Sequence, residues 1–317
     1  MTVTSPPLVT PTAYLASPAT DPDDPAWHEA RALGIGSSDA AAILGLDPWN
    51  SLYGLWLAKT GRTVRDGESE PMRWGKVLEG PIAEEYGVRA GVRIGPAPGV
   101  LAHVEHDWLR ASPDRMRLDS EGRPWSFVEV KNVSGWKSGE WDAKAGLAPP
   151  HYIVQTMHQL AVTGFDEAAI ACLVGGQHLE YLTVERDEAL IEGLLEREAA
   201  FWQSVVDDVE PPWDGSRQSI EAVRSYRAEP GTVIDLRDEH HPLLEEVRVA
   251  KSVTAALRAE LKAAEEAEKA AVGALQAVMG TAEVALGEDG EPVCTWKEST
   301  RRGYTVAEAR IRTFRLA

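Results

Sequence analysis

The feature that most constrains this chain is a change of hydrophobic period at Gly91. Before it, apolar residues recur at helical spacing. Trp74, Leu78, Ile82 and Tyr86 form one stripe in MRWGKVLEGPIAEEYGVRAG, with Pro81 set to bend the helix. After it the period is two, in GVLAHVEH, WLRASPDRMRLD and PWSFVEVKN, and SEGRP supplies the reversal between the last two. PPHYIVQTMHQLAVTG returns to helical spacing, opening on Pro and closing on Gly. AAIACLVGG and HLEYLTVER read as strands, and DEALIEGLLEREAAFWQSVVDDV as an amphipathic helix. The order helix, three strands, helix, two strands, helix predicts one α/β domain.

The expected boundaries follow from composition. Residues 1–24, rich in Pro, Thr and Ser, read as a flexible arm; they lack the basic start and apolar run of a signal peptide. Residues 25–213 form the main domain. There Ser38 reads as the N-cap of a helix over DAAAIL that stops at Gly45, and SLYGLWLAKTG as a second helix. PPWDGSRQS reads as a linker, and residues 214–317 as a helical extension. In that extension the positions Leu243, Val247, Ala250, Thr254, Leu257, Leu261, Ala264, Glu268, Ala271, Leu275 and Val278 make a heptad seam with polar breaks at Thr254 and Glu268. A terminal hairpin is expected to turn at GEDGEP.

No apolar run is long enough to span a bilayer, and two cysteines, Cys172 and Cys294, fit a reducing cytoplasm rather than a disulfide scaffold. The net charge of −18 argues against a protein that coats nucleic acid generally. It does not exclude a local groove: residues 110–144 hold seven basic and six acidic side chains, while the rest of the chain holds 25 and 44.

The chemistry concentrates in SPDRMRLDSEGRPWSFVEVKN. Glu129 and Lys131 lie two residues apart on one strand, so both leave the same face. Asp114 lies across the turn. An ExK pair on a strand is usually a surface ion pair worth little. Here Phe127, Val128 and Val130 flank it, and burying charge among them has a cost that needs a purpose. Two carboxylates suit Mg²⁺ or Mn²⁺, the carbonyl of Val130 is a further candidate ligand, and the lysine can steady or deprotonate an attacking water.

SPD at 112–114 and EVK at 129–131 resemble the PD-(D/E)xK nuclease superfamily. The wider text resembles the YqaJ-like viral recombinase (lambda exonuclease) family. The matching stretches are GIGSSDAAAILGLDPWNSLYGLWLAKTG, WGKVLEGPIAEEYG, ASPDRM, VEVKN, YIVQTMHQLAVTG and the VERDEAL run, across residues 27–210. The resemblance implies a restriction-endonuclease-like core with a central mixed sheet flanked by helices. It implies a Mg²⁺-dependent deoxyribonuclease using two ions, an exonuclease acting on linear double-stranded DNA from 5′ ends in phage-type recombination.

By that resemblance Asp114, Glu129 and Glu79 serve the metal, Lys131 is catalytic, Gln155 supports the site, and Arg31 and Ser38 hold the 5′-phosphate. The resemblance also implies a trimeric ring and a single-strand annealing recombinase as partner, in a bacterial or phage-infected cytoplasm. The family's EPxA reads Glu79-Gly80-Pro81-Ile82-Ala83 here, so Glu84 and Glu85 stand as fallbacks.

Alternatives remain at this level. An endonuclease or a single-strand-preferring nuclease would share the core, and a non-catalytic DNA-binding or assembly protein could use the heptad seam. Gln159 competes with Gln155, and Arg31 could pair with Asp39 or Glu29. Trp136, Trp141, Lys137 and Lys144 are candidate DNA contacts. His151 and His158 read as core or surface residues, and His103 and His106 as lying on opposite faces of a strand.

Overall fold

A strand pair needs its partners and a parallel strand needs a crossover; both demands are met between residues 93 and 185 of the computed structural model. The structure describes residues 8–21, 23–63, 69–225, 231, 233, 235–301 and 309–316. The chain divides into two units, Met1–Glu229 and Pro230–Ala317.

The first unit opens with β1 (Ala13–Ser17), α1 (Pro25–Ala32), β2 (Ile35–Gly36), α2 (Ser37–Ile43), α3 (Leu52–Lys59) and α4 (Glu70–Ala90). Five strands follow: β3 (Arg93–Gly95), β4 (Val100–His103), β5 (Leu109–Ala111), β6 (Arg115–Leu118) and β7 (Pro124–Val133). It closes with α5 (Pro150–Thr163), β8 (Glu167–Val174), β9 (His178–Glu185), α6 (Glu188–Val206) and α7 (Arg217–Arg224). Its main sheet has the order β3-β6-β7-β8-β9, mixed because β7 and β8 run parallel while the other pairs are antiparallel. A smaller sheet has the order β1-β4-β5-β2.

Period two decides which side of β7 meets which helix. Phe127, with Ile170 and Cys172 of β8, packs against Val154, Met157, Leu160 and Ala161 of α5. Val128, with Ala169 and Ala171, packs against Ile82 and Tyr86 of α4. The central strand is thus covered on both faces, and its polar residues enter a dry layer. The parallel pairing requires a crossover, and α5 is part of it.

Three expectations are corrected. The arm assigned to residues 1–24 is ordered over its later part: β1 pairs antiparallel with β4, Ala13 opposite His103. Residues 1–7 lie outside the described residues. The expected strand WLRASPDRMRLD is two strands in two sheets, β5 and β6. Pro113 between them has no N–H to give a ladder, and the break frees Asp114. The expected boundary near residue 213 falls too early, because part of the PPWDGSRQS linker is α7. Ser216 caps that helix, the Ser219 hydroxyl meets Ser51 at 2.7 Å, and Ala222 and Val223 pack against the cluster around Tyr53 and Trp56.

The second unit holds α8 (His241–Met279), β10 (Val284–Leu286), β11 (Pro292–Arg301) and β12 (Ala309–Leu316). The GEDGEP hairpin joins β10 to β11, and β12 adds a third antiparallel strand. The heptad seam lies on α8, with Leu243, Val247, Leu257 and Leu261 all more than half exposed.

Candidate active site

Glu129 is 2% exposed. A carboxylate loses several kcal/mol of hydration on such burial unless donors and a cation replace the water. β7 and α5 supply them. Lys131 Nζ donates to Oε1 at 2.6 Å, and Gln155 Nε2 donates to the same oxygen. Gln159 Nε2 donates to Oε2 at 2.9 Å and also reaches Ser37 Oγ at 3.2 Å. Gln155 and Gln159 are one helical turn apart, so one face of α5 delivers both. The choice between them dissolves: each holds one oxygen of the same carboxylate.

Asp114 stands just before β6, and the pairing of Arg115 with Val128 brings it across from Glu129. Its Oδ2 accepts the N–H of Val130 at 2.7 Å. Burial first, and then the charge of Glu129, push the Asp114 carboxyl well above the usual aspartate range. Glu79, from α4, forms an ion pair with Arg115, which also donates to the Asp114 carbonyl at 2.6 Å. Burial raises Glu79 and the negative Glu129 adds to it, against the pull of Arg115. The fallbacks do not join this group: Glu84 is exposed, and Glu85 pairs with Arg89 on the surface at 2.7 Å.

Burial opposes the charge of Lys131, but Glu129 and Asp114 outweigh it and hold the ammonium above the ordinary lysine value. Lys131 Nζ also lies 4.9 Å from the centre of the Tyr152 ring, close enough for cation–π attraction. The site therefore has three carboxylates, from α4, the edge of β6 and β7, gathered near one lysine.

Oxygen donors of this kind suit a hard divalent cation. Among the described residues no three His, Cys, Asp or Glu side chains form a ready metal cage.

Arg31 and Ser38 meet directly, with Arg31 Nη2 donating to Ser38 Oγ at 2.8 Å. The guanidinium lies over Trp27, 4.3 Å from the ring centre. A Cβ at Gly36 would sit 2.5 Å from Arg31 Nη2, so a larger residue there would push the guanidinium aside. Ser38 is not the helix cap that the sequence indicates: α2 starts at Ser37 with Gly36 as N-cap. Asp39 binds the Gly36 N–H at 2.9 Å and Lys59 Nζ at 2.6 Å. Burial works against the Asp39 charge, but Lys59 and Arg31 prevail and hold its carboxyl below the usual range. A cleft of about 670 Å³ opens beside this group, lined by Arg31, Asp39, Trp49 and Lys59 and by Gln218 and Glu221 of α7.

Other sequence candidates sort by burial. Trp141 is 7% exposed and belongs to the core, so it is not a DNA contact. Trp136 is 98% exposed on a 3-10 turn, Gly135–Glu140. The side chains of Lys137 and Lys144 lie outside the described residues. His103 and His106 do not diverge: β4 ends at His103, the chain turns, and the rings stack 5.4 Å apart. His158 is fully buried, with Nδ1 2.8 Å from Glu198 Oε1 and Nε2 2.9 Å from the Arg110 carbonyl. Sequence reasoning missed the parts played by Ser37, Arg115, Tyr152 and Lys59. The spacing of four between Gln155 and Gln159 was the one available signal for a paired clamp.

A mixed sheet with Pro-Asp at the edge of one strand and Glu-x-Lys on the next places the chain in the PD-(D/E)xK class. More narrowly, it belongs to the YqaJ-like viral recombinase family. It is 32% identical over 242 residues to the uncharacterized protein YqaJ of Bacillus subtilis (strain 168), covering 74% of each chain. Residues 26–166 match the YqaJ-like viral recombinase domain. Solved structures similar to this chain include an alkaline exonuclease from Laribacter hongkongensis, at 24% identity and a TM-score of 0.48, covering 58% of this chain and 93% of that one. A phage related exonuclease from Haemophilus somnus 129PT is similar at 13% identity and a TM-score of 0.44, covering 56% of this chain and 95% of that one.

Proposed function

We propose that this protein is a Mg²⁺- or Mn²⁺-dependent deoxyribonuclease that resects linear double-stranded DNA from its 5′ ends. The observation that carries the reading is the buried cluster of Asp114, Glu129 and Lys131, with Glu129 held by Gln155. Carboxylates kept dry beside a lysine give little stability that apolar residues would not give, so the arrangement points to chemistry.

Asp114, Glu129 and the carbonyl of Val130 would hold the metal, with Glu79 organising the group through Arg115. Two ions, when bound, would supply an activated water and neutralise charge on the phosphate. Lys131 acts as a cation beside Glu129, to which its Nζ donates at 2.6 Å. It steadies the attacking water and the charge that builds on the phosphoryl oxygens. Gln155 and Gln159 fix the Glu129 carboxylate so that its oxygens face one way.

End selection belongs to Arg31 and Ser38. A guanidinium is a fork suited to a terminal phosphate, and the serine hydroxyl bound to it orients that fork. Assembly follows the family resemblance: a homo-oligomer, with a trimeric ring as the expected form, and a single-strand annealing recombinase as partner in phage-type recombination. The setting is the cytoplasm of a bacterium or a phage-infected host. Among the described residues, no helix is long and apolar enough to cross a membrane.

The test is digestion of end-labelled linear duplex with Mg²⁺, comparing the wild-type chain with Lys131→Ala. Wild type should release nucleotides, faster from 5′-phosphate than from 5′-hydroxyl ends, and the variant should be at background. Equal digestion by both chains would refute the assigned site. Cleavage of covalently closed circular DNA would replace the exonuclease reading with an endonuclease.

A further inference from the structure

Trp49 is 62% exposed, yet it is held from several sides. Its backbone N–H donates to Asp47 Oδ1 at 2.7 Å, and the next N–H, of Asn50, meets the same oxygen at 3.1 Å. The carbonyl of Pro48 accepts from Gln218 Nε2 of α7 at 3.0 Å. The indole stands edge-to-face on His151, with ring centres 5.4 Å apart. His151 lies 4.1 Å from the Tyr152 ring, which covers Lys131 Nζ at 4.9 Å. Trp49 also lines the cleft that holds Arg31 and Lys59.

A large indole fixed in place and left half in water is unlike a scattered surface apolar residue, which needs no explanation. Its neighbours give the reason. Trp49 shares a cleft with the cation given above to the terminal phosphate, and it connects through two rings to the lysine given to the scissile phosphate. A strand running between those two phosphates carries its bases past Trp49. Every nucleobase has a flat apolar face, so an aromatic platform there takes any base without reading sequence.

The geometry points to Trp49 as a stacking platform for an unpaired nucleobase at or next to the 5′ end of the DNA. This role rests on the nuclease reading, since that reading places phosphates at Arg31 and Lys131. Trp49 makes no contact with the reacting group; it positions the strand. His151 and the Asp47 turn set the angle of the indole, and α7 braces the loop.

The experiment uses the full chain with EDTA, so that binding is read without hydrolysis. The probe is a 5′-phosphorylated duplex carrying 2-aminopurine at its first or second 5′ position. Wild type should quench the probe on binding. Trp49→Ala should bind roughly 5- to 150-fold more weakly, the range that loss of one base–aromatic stack gives. Trp49→Phe should recover most of the affinity. With abasic sugars at those positions, wild type and Trp49→Ala should bind alike. Equal affinity of the two chains for the base-bearing end, at an unchanged thermal midpoint, overturns the platform. So does a difference of the same size on the abasic end. Digestion with Mg²⁺ separates the two readings. Hydrolysis that depends on Lys131 without any base effect at Trp49 removes only the platform. A base effect at Trp49 without hydrolysis removes the nuclease.

Discussion

α5 and α8 are both amphipathic and both have Pro in the first turn, yet they have opposite fates. α5 has 14 residues and buries nine of them, including His158 and Gln159. α8 has 39 residues and buries only Met279. Periodicity predicts both helices equally well. Burial depends on what a helix packs against, and α5 lies across the face of the main sheet. The lesson lies in the polar residues. On α8 they are solvated and pair at i,i+4 spacing, as Lys262 does with Glu266 at 3.9 Å. On α5 they are forced into a dry layer and must be matched one by one.

Four measurements probe that contrast, from the largest expected effect down. Glu129→Gln keeps the shape but removes the charge that α5 and Lys131 are built around. Digestion of linear duplex should fall by roughly 10³-fold, about 4 kcal/mol of barrier, the upper range for one preorganised electrostatic group. Activity within a few-fold of wild type would put the reaction elsewhere.

His158→Asn should lower stability by about 3 kcal/mol, the loss expected when one member of a buried pair is removed. The two ring nitrogens of His158 face Glu198 Oε1 and the Arg110 carbonyl, and an imidazolium would donate to both. Burial opposes that charge, but Glu198 outweighs it and raises His158 above its ordinary 6.5. The stabilisation is complete below pH 6.5 and is lost as pH rises through the raised folded value. Urea unfolding of both chains across pH should show the gap closing on the alkaline side. A gap that stays constant with pH would mean the ring is neutral.

Gln159→Leu removes the donor on Glu129 Oε2 while keeping the helix. A drop of roughly 10- to 100-fold is expected, seen as weaker metal binding by calorimetry and as slower digestion. The same change at Gln155 tests the other oxygen. If either variant behaves as wild type, that glutamine is only packing. On α8, Leu257→Ala should shift unfolding by less than about 0.5 kcal/mol and leave the particle size unchanged, because Leu257 is 59% exposed. A larger loss, or a smaller particle in light scattering, would show that something covers the seam in solution.

The same contrast explains what could be read from the sequence. Period changes located the helices and strands of the core, because a two-faced sheet and its covering helix must be apolar where they touch. Asp114, Glu129 and Lys131 stood out as charges among apolar neighbours. Contacts between distant segments were illegible: the strand formed by residues 13–17 needs β4, and α7 needs the Ser51–Ser219 contact. Ser38 read as a cap because its local text fits one, but Gly36 opens the helix and lets Arg31 come close. The split at Pro113 had a visible cause, a residue without an N–H, and still looked like one strand because its apolar alternation continues. The double hold on Glu129 needed the helix to be docked before it could be seen.

The crossover between β7 and β8 bears on how the chain folds. Two parallel strands cannot be joined by a tight turn, so the chain between β7 and β8 must cross over, and α5 is part of that crossing. Without α5 the acidic strand would keep the cover of α4 on one face but lack the cover and both glutamines on the other. The connection that makes β7 and β8 parallel neighbours is thus also the one that closes both glutamines on Glu129.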